Sequence, residues 1–204
     1  MNKQTILIVI IALLIGGIGG YAITNKKELS EKPSAGMHRM EDGTMMEGDG
    51  ANVMQMDHSG MMVASERAFI EGMIPHHQEA VDTANEVIAR GGTTPEIKSL
   101  VENIVIAQET EIADMKQWYL DWYGEVYVDN GAYMPMMREL GNLSGSELDR
   151  VFLEDMIGHH MGAIMMAQSV QPYIEHEEIS ELTKAIAITQ SAEITEMKQM
   201  LETL

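Results

Sequence analysis

The densest chemistry in the chain lies in one run, Met156-Ile157-Gly158-His159-His160-Met161-Gly162-Ala163-Ile164-Met165-Met166. It packs two adjacent histidines and four methionines into roughly three helical turns. An earlier copy reads Met73-Ile74-Pro75-His76-His77-Gln78-Glu79-Ala80. Neutral imidazole and thioether sulfur are soft donors that suit copper, Cu(I) above all. A third concentration of the same donors comes before both, in Met37-His38-Arg39-Met40, Met45-Met46, Met54-Gln55-Met56-Asp57-His58 and Met61-Met62. This stretch is rich in Gly, Ser, Asp and Glu and nearly free of β-branched and aromatic residues, so it cannot bury a core. Its methionines have nothing to pack against, which favours a metal role for Met56, His58 and Met61.

Composition narrows the classes. The 204 residues hold 20 Met against 2 Phe and 2 Trp, an excess that core packing alone does not explain. Cysteine is absent, so no disulfide, zinc-thiolate site or thiol nucleophile is available. Lys+Arg is 13 against Asp+Glu 32, a net charge of -19, which argues against nucleic-acid binding. The metal ion is the expected partner, with a homo-oligomer or a copper-handling protein as further candidates.

These donors must be positioned by the elements around them. Residues 5–24 are almost entirely apolar or Gly and long enough to span a bilayer as a helix, with no clear cleavage site. Residues 1–24 are therefore expected to anchor the chain in a membrane. Flanking lysines do not decide orientation. The Met/His content places the domain outside the cytoplasm, in the periplasm or beyond. Residues 25–64 read as a disordered linker and 65–204 as the folded domain.

From Ser65 the apolar spacing turns helical: Phe69, Met73, Ala80, Ala84, Val87 and Ile88 recur at three and four residues. Gly91-Gly92 end that helix, and Thr94-Pro95 start a second, with Thr as N-cap and Pro in the first turn. The second helix is predicted to stop at Tyr123, before Gly124. An irregular segment follows, with Asp129-Asn130-Gly131 as a turn. Ser144 and Glu147 form a capping box that opens a third helix, running to Gln171 before Pro172. The fourth begins near Glu177, with His176 as a cap or surface residue. Pro75 and Gly158 precede the two histidine pairs and predict a kink there, or else the start of a new helix.

The helix pairs are copies. Phe69, Glu71, Met73, Ile74, His76, His77, Ala80, Ala84 and Val87 recur as Phe152, Glu154, Met156, Ile157, His159, His160, Ala163, Ala167 and Val170, an offset of 83 (152 − 69). Gln108, Glu111, Ile112, Met115, Lys116 and Gln117 recur as Gln190, Glu193, Ile194, Met197, Lys198 and Gln199, an offset of 82 (190 − 108). Two duplicated hairpins make an all-α four-helix bundle with approximate two-fold symmetry.

The repeat also marks the polar residues that face inward. Met156, His159, Ala163 and Met166 form one helical stripe, matched by Met73, His76, Ala80 and Thr83. Gln108, Glu111 and Met115, and Gln190, Glu193 and Met197, form stripes on the partner helices. Glu111 and Glu193 are candidates to orient an imidazole, or to ligate directly. The candidate set in the bundle is thus Met73, His76, His77, Glu111, Met115, Met156, His159, His160, Met166, Glu193 and Met197. Taken singly, Met165, Met166, Met197 and Met200 read more readily as core than as ligands.

Phe-x-x-x-Met-Ile-x-His-His-x-x-Ala followed by Gln-x-x-Glu-Ile-x-x-Met-Lys resembles the bacterial domain-of-unknown-function family 305. Both halves carry the pattern, over residues 66–204. The resemblance implies a ferritin-like bundle, export from the cytoplasm and copper association in some members. The second copy departs from the usual motif at Gly158 and Met161. In addition, Met56 to Met61 resembles the short Met/His repeats of bacterial copper-resistance proteins. Together these lead to an expectation of extracytoplasmic Cu(I) binding, for sequestration or delivery, without catalysis. The alternatives are a di-iron oxidase, in which iron would replace copper, and a metal-free structural bundle. Di-iron sites usually use Glu-x-x-His on two helices. Here the sequence offers Glu-x-x-x-x-His instead (Glu71 to His76, Glu154 to His159), the wrong spacing for one face.

Overall fold

A computed structural model describes residues 62–204, together with the two-residue strands β1 (His38–Arg39) and β2 (Met45–Met46). The strands pair antiparallel, His38 with Met46 and Arg39 with Met45. The expected membrane anchor, and the rest of the expected linker with Met56, His58 and Met61, lie outside the described residues. Among the described residues no helix is long and apolar enough to cross a membrane.

Residues 62–204 are all-helical: α1 (Glu66–Arg90), α2 (Pro95–Tyr123), α3 (Gly145–Ser169) and α4 (Glu177–Thr203). Each boundary has a local cause. The Ser65 side chain accepts from Ala68 N–H, and the Thr94 side chain from Ile97 N–H, with Pro95 in the first turn. Gly124 ends α2 at φ +69, in the left-handed region open to glycine. Two boundaries differ from the sequence expectation. Ser144 occupies the N-cap of α3 but makes no side-chain cap bond, and Gly145, the first residue of the helix, stands at φ +61, outside the right-handed region of a regular first turn. α3 ends at Ser169 rather than Gln171, and residues Gln171–Tyr173 tighten into a 3₁₀ turn. The cause is Pro172, which disfavours helical backbone at the residue before it. α1 runs unbroken through Pro75 and α3 through Gly158, so neither position starts a new helix.

α1 packs on α2 and α3 on α4, and the hairpins meet chiefly through α1 against α3. The core divides in two. One cluster joins the start of α1 (Phe69, Met73), the end of α2 (Met115), the end of α3 (Met166) and the start of α4 (Leu182). The other joins the end of α1 (Val87), the start of α2 (Leu100), the start of α3 (Phe152, Met156) and the end of α4 (Met197). α1 and α3 therefore run in opposite directions, and the clusters sit at opposite ends. Phe69 and Phe152, equivalent in the repeat, are the largest fully buried side chains, one in each cluster. Each burial contributes roughly 1.5–3 kcal/mol. His76, His77, His159 and His160 belong to the middle turns between those ends.

Two buried carboxylates fasten the hairpins to each other. Asp149, at the start of α3, accepts from Gly92 N (2.6 Å), Thr93 N (2.8 Å) and Thr93 Oγ1 (2.6 Å), all in the α1–α2 turn. Gly91 lies so close that a Cβ there would stand 2.5 Å from Asp149 Oδ1. Glu66, at the start of α1, accepts from Glu175 N (2.7 Å) and His176 N (2.8 Å) and pairs with His176 Nδ1 (2.6 Å), in the α3–α4 connection. Asp149 and Glu66 stand at the 83-residue offset. Each hairpin thus completes the turn of the other.

Candidate metal centre

Helical spacing dictates that adjacent histidines point about 100° apart. In each half the first histidine therefore faces the other hairpin and the second faces its own partner helix. His77 Nε2 lies 2.7 Å from Glu111 Oε2, and His160 Nε2 lies 2.8 Å from Glu193 Oε2. With the carboxylate as acceptor, Nε2 carries the proton and Nδ1 keeps a free lone pair. Both Nδ1 atoms are buried without a hydrogen-bond partner. The sequence stripes made Glu111 and Glu193 candidates to orient an imidazole without saying which; in the structure they meet His77 and His160.

His76 and His159 meet where the two hairpins face each other. Their ring centroids are 3.7 Å apart with the planes tilted by 36°. His76 is 1% exposed, and neither of its ring nitrogens has a hydrogen-bond partner. Burial holds its pKa well below the ordinary histidine value, and the three neighbouring histidines push the same way. The ring is neutral at neutral pH and presents a lone pair. His159 is also lowered by burial, partly offset by Glu79. Its Nε2 lies 3.2 Å from Glu79 Oε2, a long contact, and its Nδ1 is buried without a partner, as is that of His76.

Glu79 belongs to a cover that sequence reading missed. Its carboxylate accepts from the Tyr133 hydroxyl, Met136 N (2.9 Å) and Met137 N (3.0 Å), binding residues 133–137 to α1. Burial pushes the Glu79 carboxyl up, but the contact with His159 and these donors outweigh it and hold the pKa below the usual value. Tyr133 stands edge-on to His76, centroids 5.9 Å apart. The one sequence signal for Glu79 is its place three residues after His76, on the same face of α1. Nothing local signals Tyr133.

Every candidate histidine in the bundle is buried, as are Met73, Met115, Met156, Met166 and Met197. Met73, Met115 and Met166 share one apolar cluster, and Met156 and Met197 share the other. Met200 is buried too, and Met165 is partly buried against the first cluster. Gln108 and Gln190, equivalent in the repeat, each bury an unpartnered Oε1. His176 is at the N-cap of α4 but makes no side-chain cap bond; its ring stacks on Trp122 at 3.7 Å and pairs with Glu66. Among the described residues no three His, Asp or Glu side chains form a group able to hold a metal.

An unpartnered buried polar atom costs about 1–3 kcal/mol. Natural interiors hold few. Here, His159 Nε2 aside, five imidazole nitrogens and two amide oxygens are left so in the middle of one bundle. The donors suit a soft cation: neutral imidazoles, two of them oriented by carboxylates, with methionines one turn before each pair.

The family described as "Domain of unknown function (DUF305)" matches residues 21–119 and 127–201. Similar solved structures include CopM in its Cu(I)-bound form, 36% identical, covering 69% of this chain and 98% of that one, with a TM-score of 0.63. CopM in its Ag-bound form, obtained by soaking, is 35% identical over 69% of this chain and 98% of that one, TM-score 0.61. A DUF305 fragment from Deinococcus radiodurans is 28% identical over 70% of this chain and 99% of that one, TM-score 0.59. No curated protein matches the chain.

Proposed function

The chain belongs to the DUF305 family, and from that premise we propose that its bundle binds copper as Cu(I), for sequestration or delivery outside the cytoplasm. The observation that carries the reading is His76: fully buried, neutral, against the ring of His159, and with both ring nitrogens unpartnered. Cu(I) bound there would give those lone pairs the partner the fold withholds. His77 and His160, oriented by Glu111 and Glu193, and the thioethers of Met73 and Met156 are the remaining donors. Copper- and silver-bound CopM, similar in fold and sequence, supports the choice of metal. Residues 1–24 would anchor the protein, and Met56, His58 and Met61 would add weaker, exchangeable sites.

A di-iron oxidase would need carboxylates that converge on a shared position. Glu111 and Glu193 are instead each committed to a separate histidine.

The test is a Cu(I) competition titration against a chromophoric chelator, using protein purified without a His tag. His76→Leu with His159→Leu removes the donors and keeps an apolar side chain of similar bulk. The wild type should hold a tight Cu(I) that the double variant loses, with both folded by circular dichroism. Retention of that site by the variant would make the histidines structural.

A further inference from the structure

The two-fold repeat exposes a difference beside the histidine pair. The side of α1 next to His76 carries Pro75, Gln78, Glu79, Asp82 and Glu86, and residues 129–140 lie over it with Tyr133 and Asp129. At the 83-residue offset α3 carries Gly158, Met161, Gly162, Met165 and Ser169. The oxygen donors Gln78 and Asp82 of the first helix are thus replaced by the thioethers Met161 and Met165 on the second, and Glu79 by Gly162. Where Glu79 lies against His159, the symmetric place against His76 belongs to Gly162, which has no side chain.

Packing does not explain Met161. Met161 is 46% exposed. Met165 lies one turn further on the same face, within reach of a shared ligand. A third thioether arrives from elsewhere. Val63 N donates to Ser169 Oγ at 3.1 Å, one turn beyond Met165, and Val63 and Met165 pack against the same buried cluster. That bond carries Met62, 69% exposed, to this side of α3.

We propose that Met161 and Met165, with Met62 beside them, form a second soft-metal site on the outer face of α3, which takes Cu(I) or Ag(I). Thioethers do not protonate in the physiological range, and they bind monovalent soft cations in preference to hard divalent ones. Ions held there would sit on the helix that carries His159 and His160, the destination of the copper reading, whereas on α1 Glu79 and Tyr133 stand against the histidines. The site rests on the copper reading for its destination but not for its own ligands.

Ag(I) titration of the full chain, labelled with [methyl-13C]methionine and followed by NMR, tests this directly. Met161→Leu and Met165→Leu assign the signals. The Met161 and Met165 methyls should shift together at the same added Ag(I). Each single variant should abolish the shift of the remaining partner or displace it to higher Ag(I). Signals that stay unmoved while other methionines respond, or that move independently of each other, overturn the site. The ring signals of His76 and His159 are read in the same titration. Their failure to respond would remove the buried copper site without affecting the thioether result.

Discussion

α1 and α3 carry the same histidine pairs, yet they present different chemistry one step outward. On α1 a carboxylate, Glu79, reaches the pair and a loop lies across it; on α3 the matching position is Gly162 and the neighbours are methionines. Inside the bundle the halves agree closely: His77–Glu111 matches His160–Glu193, and Glu66 matches Asp149. Duplication has kept what both halves need to fold and to present imidazoles. It has diverged where only one side can be covered, because a single connecting segment, residues 124–144, joins the hairpins. Even Glu71 and Glu154 choose different partners, Arg67 and Tyr119 for the first, Arg138 for the second.

The turn carboxylates offer the largest contrast. Asp149→Ala leaves two amides and a hydroxyl without their acceptor and should cost on the order of 3 kcal/mol. Glu66→Ala should cost less, about 1–2 kcal/mol, because the His176 side chain is 34% exposed and water can replace its partner. Urea unfolding reads both. Equal losses would show that the two ends of the bundle are energetically alike.

Acidification comes next. The folded state depresses the pKa of His76 and His159, so the unfolded chain takes up protons there first. Stability of the metal-free protein should be level above about pH 6.5 and fall as pH drops below it, by up to about 1.4 kcal/mol per pH unit for each histidine. Glu79 has a depressed pKa and adds a loss only at lower pH, as it protonates. The urea midpoint at neutral pH and near pH 5.5 measures the slope. His76→Leu should flatten it. A midpoint that rises on acidification would contradict the neutral, desolvated pair.

Much of this was legible in the chain. Ser65, Thr94-Pro95, Gly124 and Glu177 marked helix ends within a residue, because caps and glycines act locally. The duplicated register showed that the histidines, Gln108 and Gln190 face inward. It did not show which histidine each glutamate meets, since one helix in a bundle faces two neighbours and a single stripe cannot represent both. Glu79 with Tyr133, and Asp149 with the α1–α2 turn, join residues more than fifty positions apart. Such pairs arise from the packing of hairpins, and no local pattern encodes them.

Glu79→Gln should have a smaller effect on stability, about 1–2 kcal/mol, by weakening its hold on residues 133–137. Its sharper readout is the His159 ring titration. Losing the carboxylate removes the influence that raises that pKa, so the apparent value should drop. No movement would mean that the 3.2 Å contact carries no charge coupling. Smallest of all is Arg138→Ala. Its pair with Glu154 lies at the surface and its pair with Asp155 keeps the guanidinium exposed, and such bridges contribute about 1 kcal/mol or less. A melt at low and high salt should show little difference.

The exchange of turn carboxylates bears on how the bundle is joined. Asp149 fills a need in the first hairpin and Glu66 an equivalent need in the second, so the surface between them is self-complementary, as in an isologous dimer. A lone hairpin would leave its own turn amides without acceptors and its carboxylate without donors, and a second copy of itself would supply both. The segment from Gly124 to Ser144 packs on α1 and ties to α3, but the exchange of carboxylates does not depend on its continuity. Two fragments, cut within it and expressed together, should reassemble into the same bundle, as separate subunits do.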